Sequence, residues 1–181
     1  MLKEKHILIL NGVGTSGKGE FARFVTELLN EQTMQISTVD LVKDAAEILG
    51  WRGGKEEVDR KFLSDLKLLA VYYNNHSHTY VKKKVDFFNK YLWFKVLMVD
   101  SREPDEIDRF KKEFGAKTVL VRRPDAPKIE SNMADANVEN YEYDYYIEND
   151  GSLEDLKIKV KEFLEGLEKW EWIISNQTLG Y

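Results

Sequence analysis

A glycine-rich segment near the amino terminus has the residue types and spacing most suited to chemistry. It reads Gly12-Val-Gly-Thr-Ser-Gly-Lys18-Gly and fits G-x-x-x-x-G-K, in which backbone N–H groups surround phosphate oxygens. An apolar run over residues 7–10 precedes it and a helical apolar period follows it, so it joins a predicted strand to a helix N-terminus, where the helix dipole favours anions. We therefore predict a nucleotide phosphate site, with Lys18 reaching the β- and γ-phosphates. The expected binding residues are Gly12, Gly14, Thr15, Ser16, Gly17, Lys18, Gly19 and Glu20.

The segment lacks the hydroxyl that normally ligates Mg²⁺, because Gly19 stands where the motif has Ser or Thr. Asp100, at the carboxyl end of the most strand-like run of the chain, is the expected magnesium group, and its alternative role is to cap the helix that begins at Pro104. Glu20 could also hold Mg²⁺, directly or through water. It could equally be a favourable charge in the first turn of a helix.

Composition narrows the classes of partner. The chain has 181 residues, 43% hydrophobic and 33% charged, with a net charge of −5, which argues against a nucleic-acid surface. The run 82–84 is the only basic run and is interpreted as a solvated helix face. There is no cysteine, no signal-peptide pattern and no apolar run of transmembrane length. We expect a cytoplasmic protein with neither a membrane nor a nucleic-acid partner.

The order of predicted elements indicates an α/β fold with three layers. Apolar runs at 6–10, 34–39, 94–99, 118–121 and 145–147 alternate with helical patterns, which predicts a five-stranded parallel sheet covered on both faces. The whole chain, 1–181, reads as one domain. It is expected to contain a helical insertion at about 40–91 and a lid at about 124–142.

The chain resembles the P-loop nucleoside and deoxynucleoside monophosphate kinases of the phage and bacterial type. The resemblance rests on Gly50-Trp51 with the following Arg60-Lys-Phe-Leu-Ser-Asp-Leu, on Asp100-Ser-Arg-Glu-Pro-Asp-Glu, and on Asn149-Asp-Gly-Ser-Leu after the last strand. It implies a P-loop NTPase fold and an enzyme that, with Mg²⁺, transfers the γ-phosphate of ATP to a monophosphate held by the insertion. Animal-type phosphomevalonate kinases share this layout, so another small phosphorylated acceptor remains an alternative.

Three arginines that follow the third and fourth strands of the predicted sheet are candidates for contact with phosphate. Arg122 and Arg123 leave the fourth strand before the lid, and since neighbouring strand residues point to opposite faces, we expect only one of them to reach the transferring group. Arg102 lies at the edge of the sheet where ligands bind in open α/β folds, and it could bind the acceptor phosphate. An ion pair with a neighbouring carboxylate would equally explain it.

Other candidates have a structural explanation as well as a functional one. Asp40 could contact the acceptor or cap the helix that begins after it, and Arg60 could bind the acceptor phosphate or be solvated. Asn149 could lie near the donor base, or it could only stabilise the turn in which it lies. The lid lacks the His-x-Ser-Glu pattern of the kinases that the chain resembles. An alternative is therefore a degenerate relative that binds nucleotide but transfers phosphate poorly. The oligomeric expectation is a monomer or a homodimer.

Overall fold

The computed structural model describes the backbone of residues 2–124 and 138–178 and the side chains of residues 2–124 and 138–168. The strands are β1 (His6–Asn11), β2 (Thr33–Ser37), β3 (Val96–Asp100), β4 (Lys117–Arg122) and β5 (Tyr145–Glu148). The helices are α1 (Lys18–Leu28), α2 (Asp40–Ile48), α3 (Glu57–Asn74), α4 (His76–Lys90), α5 (Pro104–Phe114) and α6 (Leu153–Thr178). A short 3-10 helix, Val138–Asn140, precedes β5.

All five strands are parallel and follow the order β2-β3-β1-β4-β5. Parallel strands must be connected by crossovers, and each crossover here contains at least one helix or, before β5, the 3-10 helix. Because β1 lies between β3 and β4, the segment after β1 meets the ends of both neighbours at one edge of the sheet. The predicted five-stranded parallel sheet is confirmed.

Alternate residues of the strands enter two cores on opposite faces of the sheet. On one face, Leu8 and Leu10 pack with Phe21 of α1 and Phe163 of α6. On the other, Ile9 packs with residues of β3, α4 and α5. Period-two alternation divides β1 between the two cores, so the sheet is the middle of three layers.

The segment between β2 and β3 forms three helices. Helix α4 contributes to the second core through Val81, Val85 and Phe88, whereas α3 has no buried residue and contacts α2 and α4. Helix α2 buries Val42 and Ala46 and packs on α3, and both helices belong to the segment where a helical insertion was expected. Of the expected lid, residues 125–137 lie outside the described residues.

Local sequence signals predicted most helix and strand boundaries to within a few residues of those in the structure. The expected start of α6 is confirmed, because Ser152 and Asp155 form reciprocal side-chain to backbone hydrogen bonds of 2.9 and 3.2 Å. Strand β3 begins two residues later than its apolar run. No helix in the described part of the chain is long and apolar enough to cross a bilayer.

Candidate phosphate-binding site

The glycine-rich loop connects β1 to α1 through backbone conformations that favour glycine. Gly12 has φ +151°, and a Cβ there would lie 2.5 Å from the carbonyl oxygen of Val121. Gly17 has φ +94°, and a Cβ there would overlap the side-chain amide of Asn149. No side chain caps the N-terminus of α1, so its first N–H groups are open to a phosphate.

Two asparagines fix the shape of this loop. Asn11 accepts a hydrogen bond of 2.8 Å from the N–H of Gly12 and donates one of 2.8 Å to the hydroxyl of Tyr143. Asn149 donates a 3.0 Å hydrogen bond to the carbonyl of Ser16. Asn149 was expected near the donor base, and the structure shows it buried and in contact with the loop itself.

Tyr143 is a supporting residue that the sequence analysis did not identify. It is buried, and its hydroxyl donates a 3.0 Å hydrogen bond to the carbonyl of Val138 while accepting the bond from Asn11. Burial is the largest cause that raises the pKa of this phenol, to about 12, so it stays a neutral donor at physiological pH. The phenol thus links the start of the loop to the chain just after residue 137.

Lys18 and Asp100 meet at the carboxyl edge of the sheet. The Nζ of Lys18 lies 3.2 Å from Oδ1 of Asp100, and Gln35 donates a 3.1 Å hydrogen bond to the other carboxylate oxygen. Both side chains of the ion pair keep about a fifth of their surface exposed. Asp100 does not cap α5, because the N-cap position is Glu103.

A cavity of about 650 Å³ brings together the predicted phosphate-binding residues of the loop except Gly12. The glycine loop forms one wall, and Arg102 and Arg123 reach the cavity from the ends of β3 and β4. Three cationic residues, one from the first turn of α1 and two from the segments after β3 and β4, therefore line one space. The lining residues are Val13, Gly14, Thr15, Ser16, Gly17, Lys18, Gly19, Glu20, Arg102, Arg123, Asn149, Gly151 and Leu153.

Arg122 and Arg123 point to different surroundings. Arg122 forms ion pairs with Glu148 at 2.8 Å and with Glu139 at 3.4 Å, and its guanidinium lies 5.0 Å from the ring centre of Tyr146. Arg123 lines the cavity. Only one of these two arginines was expected to reach the phosphates, and Arg123 is the one that lines this space.

Gly19 and Glu20 differ in what surrounds them. Arg23 holds the carboxylate of Glu20 through contacts of 2.7 and 2.8 Å, which neutralises much of its repulsion toward phosphates. Around Gly19, no heavy atom lies within 4 Å of a Cβ built on its backbone. The space for a hydroxyl at position 19 is therefore present even though the hydroxyl is absent.

Asp40 and Arg60 do not line this cavity. Asp40 is the first residue of α2, and its carboxylate accepts hydrogen bonds from the N–H of Ser37 at 2.7 Å and from the hydroxyl of Tyr80 at 3.3 Å. Arg60 lies in the first turn of α3. Both lie in the segment between β2 and β3.

A partly buried ion pair connects α3 to α5 and, through Ser101, to the segment after β3. Lys67 lies 3.0 Å from a carboxylate oxygen of Glu106, and Ser101 donates a 3.1 Å hydrogen bond to the same oxygen. Ser101 is 2% exposed and is flanked in sequence by Asp100 and Arg102. The position of α3 is thereby coupled to both of these residues.

Comparisons with known proteins bear on the fold. No family model and no curated protein sequence matches the chain. Among solved structures, dephospho-CoA kinase from Campylobacter jejuni is similar at TM-score 0.53 and 15% identity, with 91% of this chain and 98% of that chain covered. Thymidylate kinase from Ehrlichia chaffeensis is similar at TM-score 0.51 and 14% identity, with 89% and 99% covered. The chain therefore shares a five-stranded, three-layer α/β fold with these two kinases.

Proposed function

We propose that this protein is an ATP-dependent phosphotransferase that moves the γ-phosphate of ATP to a small phosphorylated acceptor, specifically a nucleoside or deoxynucleoside monophosphate. The observation that carries the proposal is the convergence of Lys18, Arg102 and Arg123 on one cavity beside the glycine loop. A protein that only holds a nucleotide needs the loop and its lysine. Two further guanidinium groups suit a site that must neutralise a second phosphate and a transferring group.

The roles of the cationic residues follow from their positions. The backbone amides of the loop and Lys18 would bind the β- and γ-phosphates of the donor. Arg123 would stabilise the charge on the transferring group, and Arg102 would hold the acceptor phosphate. Phosphoryl transfer requires mainly alignment and charge neutralisation, which these fixed groups supply.

Asp100 fits a role at a magnesium ion. Its Oδ1 is buried and faces the Nζ of Lys18 at 3.2 Å, and a carboxylate oxygen so placed could also accept a hydrogen bond from a metal-bound water. Proteins often hold Mg²⁺ through one or two carboxylates together with substrate phosphates, and a single carboxylate here meets that requirement. When bound, Mg²⁺ would neutralise charge on the β- and γ-phosphate oxygens. Glu20 is a weaker candidate because Arg23 already engages its carboxylate.

The nucleotide acceptor is supported by the motif resemblance together with helices α2 and α3, which follow β2 in the chain and pack on each other. Arg60 of α3 is proposed to contact the acceptor, as is Asp40 of α2. The coupling of Lys67 to Glu106 would transmit the position of α3 to Asp100 and Arg102. In this way an acceptor bound against α3 would help to align the donor side.

The test is a coupled assay of ADP formation with ATP, Mg²⁺ and a panel of ribo- and deoxynucleoside monophosphates, with phosphomevalonate included. One or a few monophosphates should stimulate ADP formation, and a Lys18→Ala variant that remains folded should show no stimulation. If no acceptor stimulates the reaction while ATP still binds, the protein is a nucleotide-binding relative without transfer activity. If only phosphomevalonate stimulates it, the acceptor class is wrong and the phosphotransferase class is retained.

A further inference from the structure

An exposed aromatic and aliphatic turn follows α4 at the opposite edge of the sheet from the cavity. Leu92 is 86% exposed and Trp93 is 59% exposed, with Tyr91 and Phe87 beside them at 44% and 46%. The rings of Phe87 and Tyr91 pack at 4.5 Å between centroids, which gives the turn a fixed apolar surface. Exposing several large apolar side chains together to water is unfavourable in free energy. Such a surface indicates a site of contact with another protein or with a membrane.

Lysines from two distant parts of the sequence surround this turn. The Nζ of Lys5 donates hydrogen bonds to the carbonyls of Phe88, Asn89 and Tyr91, and that of Lys95 donates one to the carbonyl of Lys3. The proximity of Lys95 contributes, after burial, to a lowered pKa of Lys5. We call the combined surface the basic aromatic patch; its members are Lys3, Lys5, Lys83, Phe87, Lys90, Tyr91, Leu92, Trp93 and Lys95.

The patch has a local positive charge on an acidic protein. Its five lysines exceed by one the four carboxylates that border them, those of Glu4, Glu31, Asp86 and Glu168, while the whole chain carries −5. Lys90 also lies 5.8 Å from the ring centre of Tyr91, so charge and apolar surface are interleaved. This sign is opposite to that of the remaining surface.

The patch and the phosphate site lie at opposite ends of β1. The patch borders the amino-terminal end of β1 and the cavity its carboxyl end, and six strand residues at about 3.3 Å each separate them by about 20 Å. A large partner could therefore cover the patch and leave the cavity open to small molecules.

We propose that the basic aromatic patch binds the surface of an anionic phospholipid bilayer. Trp and Tyr prefer the headgroup level of a membrane, an exposed leucine enters the acyl boundary, and lysines attract acidic headgroups. A nucleic acid would use the lysines and rings but would gain little from Leu92, which is the most exposed of the four apolar side chains. The inference concerns peripheral contact and is independent of the proposed reaction.

The magnitude can be estimated for single side chains. Each lysine near an acidic membrane surface contributes about fivefold to partitioning. Burying the exposed surface of a leucine contributes roughly tenfold or more. Lys90→Gln should thus weaken binding about fivefold and Leu92→Ser at least tenfold. The two fold-changes should multiply in the double variant if both side chains contact the same bilayer.

The experiment measures sedimentation of the full chain with phosphatidylcholine vesicles that contain or lack phosphatidylserine, at low and high salt. Matched controls are Leu68→Ser and Lys61→Gln, which change the same residue types at exposed positions of α3. We expect the protein to bind only the acidic vesicles and to lose this binding at high salt. Leu92→Ser and Lys90→Gln should weaken binding, whereas the two α3 controls should not. Circular dichroism of all four variants verifies that they are folded.

Three results would overturn the proposal. The first is absence of binding to acidic vesicles at low salt. The second is equal weakening by the α3 controls. The third is binding of a single-stranded oligonucleotide that displaces vesicles and is unaffected by Leu92→Ser, which would reassign the patch to polyanions. Since ADP formation is assayed without vesicles, none of these results depends on the proposed reaction.

Discussion

Restoring a hydroxyl at position 19 is the perturbation that tests the interpretation of the loop most selectively. Gly19 is the second residue of α1, its φ lies outside the left-handed region, and no heavy atom lies within 4 Å of a Cβ placed there. Gly19→Ser therefore adds a hydroxyl one residue after Lys18 without a clash. Gly19→Ala is the matched control, because it adds the Cβ alone.

Both variants should be more stable than the wild type. Glycine in a helix costs about 0.8–1.0 kcal/mol relative to alanine, and serine recovers roughly half of that difference. For a chain of this length, 1 kcal/mol corresponds to about 2–4 °C in Tm. Thermal unfolding monitored by circular dichroism should show Gly19→Ala as the more stable of the two.

Only the serine variant should alter metal dependence. A direct hydroxyl ligand should increase the apparent Mg²⁺ affinity of the nucleotide complex on the order of tenfold, comparable to the effect of single changes around other metal sites. Isothermal titration of Mg²⁺ into protein with saturating ADP measures this quantity. If alanine raises the affinity as much as serine, or if serine abolishes nucleotide binding, the placement of the metal beside Lys18 and Asp100 is refuted.

Two further predictions concern the arginines and an acidic side chain. Arg123→Ala should lower kcat by on the order of 10³ with little change in ATP affinity, whereas Arg122→Ala should retain most activity and cost less than about 1 kcal/mol in unfolding free energy; equal kinetic losses in steady-state assays would contradict the assignment. Burial raises the pKa of Asp144, but hydrogen bonds from Thr118 and Lys111 outweigh it and hold the pKa below its ordinary value of 3.8. The ionised carboxylate therefore stabilises the fold fully above pH 3.8, and this stabilisation is lost as the pH falls through the folded-state pKa. Asp144→Asn should therefore lower the unfolding free energy by about 1 kcal/mol at neutral pH, and urea titrations in acid should show the difference shrinking; a constant difference at all pH values would show that the carboxylate charge is not its cause.

The parts of the fold that depend on local sequence were predictable. The glycine loop is recognisable because its backbone requirement is local, and the strands and helices appear through apolar periods of two and of three to four residues. The start of α6 was predictable because Ser152 and Asp155 are three residues apart.

Features that depend on distant residues were not predictable. Asn11 and Tyr143 are 132 residues apart, and nothing near either of them in sequence indicates their hydrogen bond. Strand alternation separates Arg122 from Arg123, yet it does not specify which of them faces the cavity, since that depends on how β4 ends beside the loop. The basic aromatic patch combines Lys3 and Lys5 with residues 83–95, so the basic run alone resembled a solvated helix face.

The central claim is that the cavity transfers phosphate from ATP to a phosphorylated acceptor, and the most direct measurement follows a label on the γ-phosphate. The protein is incubated with γ-labelled ATP, Mg²⁺ and the acceptor that stimulates ADP formation, and the products are separated by chromatography. The account predicts that the label appears in the corresponding nucleoside diphosphate, with little free phosphate, and that Lys18→Ala leaves the label in ATP. Label found only in free phosphate, or unchanged ATP with every acceptor, would contradict it.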